Sequence, residues 1–159
     1  MLEIIPSINR ENWQEVEKDL KAIESFSEWV EIDVLDGSLS KRISWNNFND
    51  LKNIKLSEPL KIAIHLMIKN PQNNIESLVK LGIRRIIIQY EGLPKSFLDL
   101  SNKQESLIKN LADICHNNWI EFGLSISSKT SVKKISYFLK YLEVVQILAV
   151  PIGKSSYGF

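Results

Sequence analysis

Short apolar runs alternate with amphipathic ones along the whole chain. Six segments rich in Ile, Val, Leu and aromatic residues have the length and composition of β-strands: 2–6, 29–34, 61–66, 84–90, 120–126 and 144–150. Between them the apolar period changes from two to about three and a half. Trp13, Val16, Leu20 and Ile23 predict a first helix, and Ile75, Leu78, Val79 and Leu81, placed between Asn70-Pro71 and Gly82, predict a second. Leu107 to Cys115 and then Val132, Ile135, Phe138 and Leu139 predict two more. Only the stretch after Asp36 is poorly patterned, with a weak helix expected near residues 46–53. Regular strand-then-helix alternation predicts right-handed βαβ units on a parallel sheet.

Two architectures satisfy that alternation, an open doubly wound sheet and a (β/α)8 barrel. The first usually carries a glycine-rich turn after its opening strand, whereas here Pro6-Ser7-Ile8-Asn9 follows. A barrel collects its chemistry at the C-terminal ends of several strands, where Ser7, Asp33, His65 and the turn at Val150 to Gly153 all fall. The expected fold is therefore α/β of the (β/α)8 type, incomplete, a single domain over residues 1–159 with no linker or low-complexity segment inside it.

Composition narrows the function classes. With 159 residues, 44% hydrophobic and 25% charged, the chain has enough apolar side chains for one buried core. A formal net charge of +1 gives no electrostatic footprint for nucleic acid, and no apolar stretch is long enough for a signal peptide or a membrane span, so a cytoplasmic protein is expected. Cys115, the single cysteine, lies in the apolar pattern of a helix and reads as core, not as a nucleophile. His116 beside Asn117 and Asn118 reads as a helix-end partner, and Lys129, Lys133, Lys134 and Lys140 as a solvated face.

Against that background one constellation stands out. In Trp29-Val30-Glu31-Ile32-Asp33-Val34-Leu35-Asp36-Gly37, alternation sends Glu31 and Asp33 to the same face near the end of a strand. The run Lys61-Ile62-Ala63-Ile64-His65-Leu66-Met67 delivers an imidazole to a comparable place on the next strand. Two acids and an imidazole at neighbouring strand ends form a candidate site.

These segments resemble the ribulose-phosphate 3-epimerase family. That family opens on a strand ending in Pro-Ser-Ile, continues with W-x-H-x-D-x-M-D-G and then shows V-H-L-M-I-x-N-P; here stand Ile5-Pro6-Ser7-Ile8, the run from Trp29 to Gly37, and Ile64-His65-Leu66-Met67-Ile68-Lys69-Asn70-Pro71. Weaker likeness runs through Ile86 to Glu91 and Gly123 to Ile126, so the resemblance covers the chain in order. It implies a metal-dependent isomerase that moves the C3 proton of ribulose 5-phosphate from one face to the other, through an enediolate, to give xylulose 5-phosphate. In the family a His and an Asp of the second strand, a His of the third and an Asp of the seventh hold a divalent ion, and the two aspartates carry the protons. By match of motif Asp33 would be ligand and acid/base, His65 a ligand that also meets substrate, Ser7 a substrate hydrogen bond, and Met67 part of an apolar wall.

Departures from the pattern shape the expectation further. Glu31 stands where the family has its first metal-binding histidine, which keeps a ligand for zinc, iron or manganese but favours harder ions. The loop N-P-G-F-G-G becomes Pro151-Ile152-Gly153-Lys154-Ser155-Ser156, leaving Gly153, Lys154, Ser155 and Ser156 to face a phosphate. With about six of eight β/α units before Phe159, the chain is expected to be a fragment of a longer product or a reduced relative. Three readings follow: an epimerase, an inactive barrel relative binding a sugar phosphate or a protein partner, and an assembly subunit whose open edges are covered by a second copy or a complementing chain.

Overall fold

All six strands pair in parallel and lie side by side in the order of the sequence: β1 (Ser7–Ile8), β2 (Trp29–Val34), β3 (Lys61–Leu66), β4 (Arg85–Gln89), β5 (Glu121–Ser127) and β6 (Val144–Leu148). The computed structural model describes residues 2–57, 59–94 and 101–154. Helices α1 (Trp13–Ile23), α2 (Ile75–Leu78) and α3 (Ser101–His116) fall in the connections, with 3-10 turns at Phe48–Asn53, Pro71–Asn74, Tyr90–Gly92, Val132–Lys134 and Ser136–Tyr141. A doubly wound order is thereby excluded. The sheet is also curled. Gln146 on β6 donates its Nε2 to Glu31 Oε1 on β2 at 2.8 Å, whereas in a flat sheet strands four positions apart would be separated by roughly 19 Å. The two strands face each other across the concave side, as in an incomplete barrel of (β/α)8 type.

Strand alternation divides the sheet into two surfaces with different jobs. Val30, Ile32, Val34, Ile64, Leu66, Ile86, Ile88, Phe122, Leu124 and Ile126 join Val16, Leu20, Ile108 and Leu111 of the helices in one apolar cluster, which fills the layer between sheet and helices. Their alternates, Glu31, Asp33, His65, Gln89, Ser125 and Gln146, are polar. The helix start at α1 is fixed by a reciprocal cap: the Asn12 side chain accepts from the Glu15 N–H and donates to the Glu15 carboxylate, each at 3.0 Å. Among the described residues no helix is long and apolar enough to cross a membrane.

Two elements differ from the sequence expectation. The first strand, expected over 2–6, pairs only at Ser7–Ile8, with Pro6 C=O accepting from Glu31 N–H at 2.9 Å. Register explains it: with Ser7 opposite Glu31, residues 2–4 lie opposite the turn that precedes β2, where no ladder exists, and Leu2 and Ile4 are left exposed. The fourth helix, expected from Val132 to Leu139, forms two 3-10 turns instead. The buried side chains there are Ile135 and Phe138, three residues apart, while Val132 and Leu139 are exposed, so the stripe that packs has the 3-10 period. The hydroxyl of Ser136 also bonds back to Lys133 C=O at 2.9 Å, competing with a continuous helix.

Cys115 is core, as its position in the apolar pattern implied. It is fully buried in α3, and burial, reinforced by the Glu143 charge, pushes its thiol up from 9.0 to about 12. Because only the thiolate reacts, the folded chain at neutral pH should be alkylated by iodoacetamide about a thousandfold more slowly than the urea-unfolded chain. The raised value also fixes a sign for alkaline stability. Above pH 9 the unfolded thiol ionises and the folded one does not, so stability falls as pH rises from 9 toward 12. Equal alkylation rates in the two states would contradict this placement.

Candidate active site

Parallel register is what builds the site. Asp33 and His65 are direct partners across β2 and β3, each the penultimate residue of its strand. Their side chains meet with His65 Nδ1 3.1 Å from Asp33 Oδ1. Ser7, in register with Glu31 at the β1 edge, donates its hydroxyl to Asp33 Oδ2 at 3.0 Å. Two positions before Asp33, Glu31 lies on the same face, 3.8 Å from His65 Nδ1. Ligand atoms of Glu31, Asp33 and His65 all fall within 4.8 Å of one another.

The electrostatics of this cluster favour a bound positive charge. Burial raises the Glu31 carboxyl above its ordinary value, and the Asp33 charge adds to that, against the opposing effects of His65 and the Gln146 amide. For His65, burial alone would lower the pKa, but the hydrogen bond and charge of Asp33, with the charge of Glu31, outweigh it and the net shift is upward. One imidazole nitrogen therefore faces two acceptor-only groups in a site shielded from water. A proton or a divalent cation answers that arrangement, and two carboxylate oxygens with one imidazole nitrogen suit zinc, iron or manganese. The surroundings have unused polar capacity too: the Ser125 hydroxyl and Gln146 Oε1 are buried without a hydrogen-bond partner, and these two residues are neighbours in register on β5 and β6. Beside them the concave face holds a cavity of about 350 Å³ bounded by Ser7, Glu31, Arg85, Ile87, Val144 and Gln146.

Of the residues expected from sequence, Ser7, Glu31, Asp33 and His65 are brought together. Met67 is buried directly after β3, its N–H bonded to Val34 C=O at 2.9 Å. Gly153 has φ +75°, and a Cβ there would lie 2.5 Å from the Leu35 side chain and 2.6 Å from the Ser40 hydroxyl. It thus packs the segment after β6 against the segment after β2, and its carbonyl accepts from Arg42 at 3.4 Å. Lys154 is exposed and closes a turn by its N–H to Pro151 C=O at 2.9 Å. Ser155 and Ser156 lie outside the described residues.

Sequence reasoning passed over Gln89, Ser125 and Gln146 as site residues. Gln89 Oε1 is 3.0 Å from His65 Nε2, and Gln89 is fully buried. The signal that could have found them is alternation: counted inward from the strand ends, these are the polar positions on the face that carries His65.

Comparison with known proteins agrees with this geometry. The profile of the Ribulose-phosphate 3 epimerase family matches residues 3–159. The ribulose-phosphate 3-epimerase of Chlamydia pneumoniae is 28% identical over 133 residues, covering 84% of this chain and 52% of that protein. The ribulose-phosphate 3-epimerase of Chlamydia muridarum is 27% identical, covering 82% and 51%, and that of Schizosaccharomyces pombe 23% identical, covering 98% and 64%. The chain thus spans between about half and two thirds of the length of these curated relatives. A match over nearly all of its residues places the chain in the ribulose-phosphate 3-epimerase family.

Proposed function

We propose that this chain carries the proton-abstracting half of a ketose-phosphate 3-epimerase site, with ribulose 5-phosphate as substrate. The observation that carries the reading is the Asp33–His65 register pair near the C-terminal ends of β2 and β3, with Glu31 grouped beside it. Asp33 is the base. Its carboxylate takes the C3 proton, the C–H electron pair passes into the enediolate, and return of the proton restores the ketose. Ser7 holds that carboxylate in orientation through Oδ2. Glu31, Asp33 and His65 would hold a divalent ion, which would supply positive charge for the developing enediolate oxygens. Phosphate contact is assigned to the loop at Gly153 and Lys154 with Ser155 and Ser156, and the apolar wall to Met67. A cytoplasmic location fits sugar-phosphate chemistry of this kind.

Epimerisation requires a second acid on the opposite face of the enediolate. Among the described residues, the acids grouped with His65 are Glu31 and Asp33, both on β2. Exchange of the C3 proton is therefore expected to outrun inversion. Incubating the chain with ribulose 5-phosphate and Mn²⁺ in D₂O should place deuterium at C3 faster than xylulose 5-phosphate accumulates, as read by proton NMR. No deuterium at C3 in the presence of metal would reject the reading, and would favour a relative that binds sugar phosphate without turning it over.

A further inference from the structure

Behind the cluster a line of hydrogen bonds runs from β3 across β4 to the segment after β5. His65 Nε2 lies 3.0 Å from Gln89 Oε1. The other end of that amide, Gln89 Nε2, donates to Glu91 Oε2. Glu91 Oε1 in turn accepts from the Ser127 N–H at 2.9 Å and from the Thr130 hydroxyl. Burial works against ionisation of Glu91, yet the bonds from Thr130, Ser127 and Gln89 outweigh it and keep its carboxyl below the ordinary range.

Polarity propagates along such a line, because each group has a fixed donor or acceptor sense. A carboxylate only accepts, so Gln89 must turn its NH₂ toward Glu91. Its carbonyl then faces His65, and a carbonyl only accepts, so His65 Nε2 must carry the hydrogen. Nδ1 faces Asp33 and Glu31, which also only accept, so without a cation it too carries a hydrogen. With Nε2–H held by the amide, Nδ1 is the nitrogen that gives up its hydrogen and offers a lone pair when a cation enters. We propose that Glu91 is a positioning residue that acts through the Gln89 amide to keep a hydrogen on His65 Nε2, leaving Nδ1 as the ligating nitrogen, and that it thereby sets the cation affinity of the Glu31–Asp33–His65 cluster. The affinity part rests on the metal reading given above; the tautomer part does not.

The same logic predicts an inversion. In Glu91→Gln the new side-chain carbonyl still accepts from Ser127 and Thr130, and its NH₂ now faces Gln89. The Gln89 amide must flip, presenting NH₂ to His65 Nε2, so that the imidazole keeps its hydrogen on Nδ1 alone, where it blocks the ligand position. Combining Glu91→Gln with Gln89→Glu restores an acceptor at position 89, which also accepts from the new amide at 91. Polarity toward His65 is thus recovered with both residues changed.

Two measurements on ¹⁵N-labelled protein decide the matter. Long-range ¹⁵N–¹H spectra of the metal-free chain should show a hydrogen on His65 Nε2 in the parent and in the double variant, and an imidazole with its hydrogen on Nδ1 alone in Glu91→Gln; a His116→Gln background leaves His65 as the only histidine. Calorimetric titration with Zn²⁺ should give about 10- to 100-fold weaker binding in Glu91→Gln and recovery to within about threefold in the double variant. If Glu91→Gln does not fold, Gln89→Leu removes the acceptor at similar volume and should lose Zn²⁺ affinity to the same degree, together with the Nε2–H preference. An unchanged tautomer in a folded variant, or a double variant that binds no better than the single one, would overturn the relay. A parent that binds no Zn²⁺ at all would overturn the metal reading, and the tautomer spectra would then decide the relay without it.

Discussion

Asp33→Asn should abolish solvent exchange at C3 of ribulose 5-phosphate, lowering the rate by about a thousandfold or more while leaving the fold intact. The amide has nearly the shape of the carboxylate but can neither take the proton nor donate charge to a cation. General-base catalysis contributes about 10²- to 10⁴-fold by itself. Loss of one of two negative ligands adds to that, because the cluster places Asp33 Oδ1 at 3.1 Å from His65 Nδ1 and within the 4.8 Å grouping. His65→Ala provides the contrast. It removes a ligand but no base, so exchange should fall in step with metal occupancy and recover in part when Mn²⁺ is raised, whereas added Mn²⁺ should not rescue Asp33→Asn. Exchange by Asp33→Asn within tenfold of the parent would mean that another group is the base.

Gly92→Ala should be among the most destabilising single substitutions in the chain. A Cβ at Gly92 would lie 2.1 Å from the Ile68 carbonyl oxygen and 3.2 Å from its carbon, so the clash is with backbone and no rotamer can relieve it. Both segments are also tied: Asn70 N–H donates to Gly92 C=O at 2.8 Å, and Asn70 is held at φ +53°. Separating them costs about 3 kcal/mol or more, which for a chain of this size lowers the melting temperature by roughly 6–12 °C. Ile68 lies three residues after His65 and Gly92 one after Glu91, so Zn²⁺ affinity should fall as well. Gly82→Ala is the control. It meets no atom within 4 Å and carries only the cost of φ +74°, about 1 kcal/mol. Equal thermal stability of the two variants, measured by circular dichroism, would show that the close approach at Ile68 is relaxed in solution.

The larger part of this architecture is legible without coordinates. The β2 and β3 bounds, 29–34 and 61–66, coincide with the expected ones, because each is a β-branched run closed by a turn signal: Asp36-Gly37 in one case, Asn70-Pro71 in the other. Those same runs fix the alternation that puts Glu31 and Asp33 on one face. Local rules failed where packing decides the outcome. Residues 2–4 have strand composition but lie opposite a turn, and Ile135 and Phe138 bury at a spacing of three that the wider apolar pattern conceals.

What the sequence determined by itself, then, was the identity of strands β2 to β6, parallel alternation and the residue types of the cluster, since these follow from side-chain period and from turn chemistry within a few neighbouring residues. Tertiary structure alone decided which atoms meet. That Asp33 sits opposite His65 depends on a register chosen by a core between sheet and helices. That Gln146 reaches Glu31 across four strand positions depends on the curl of the whole sheet. That Thr130 and Ser127 reach His65 through Glu91 and Gln89 depends on the ends of three strands, β3, β4 and β5, lying at the same rim. Hydrogen bonds are short-ranged and directional, so a chain of them between distant segments is specified only once the fold has brought every member within about 3 Å of the next.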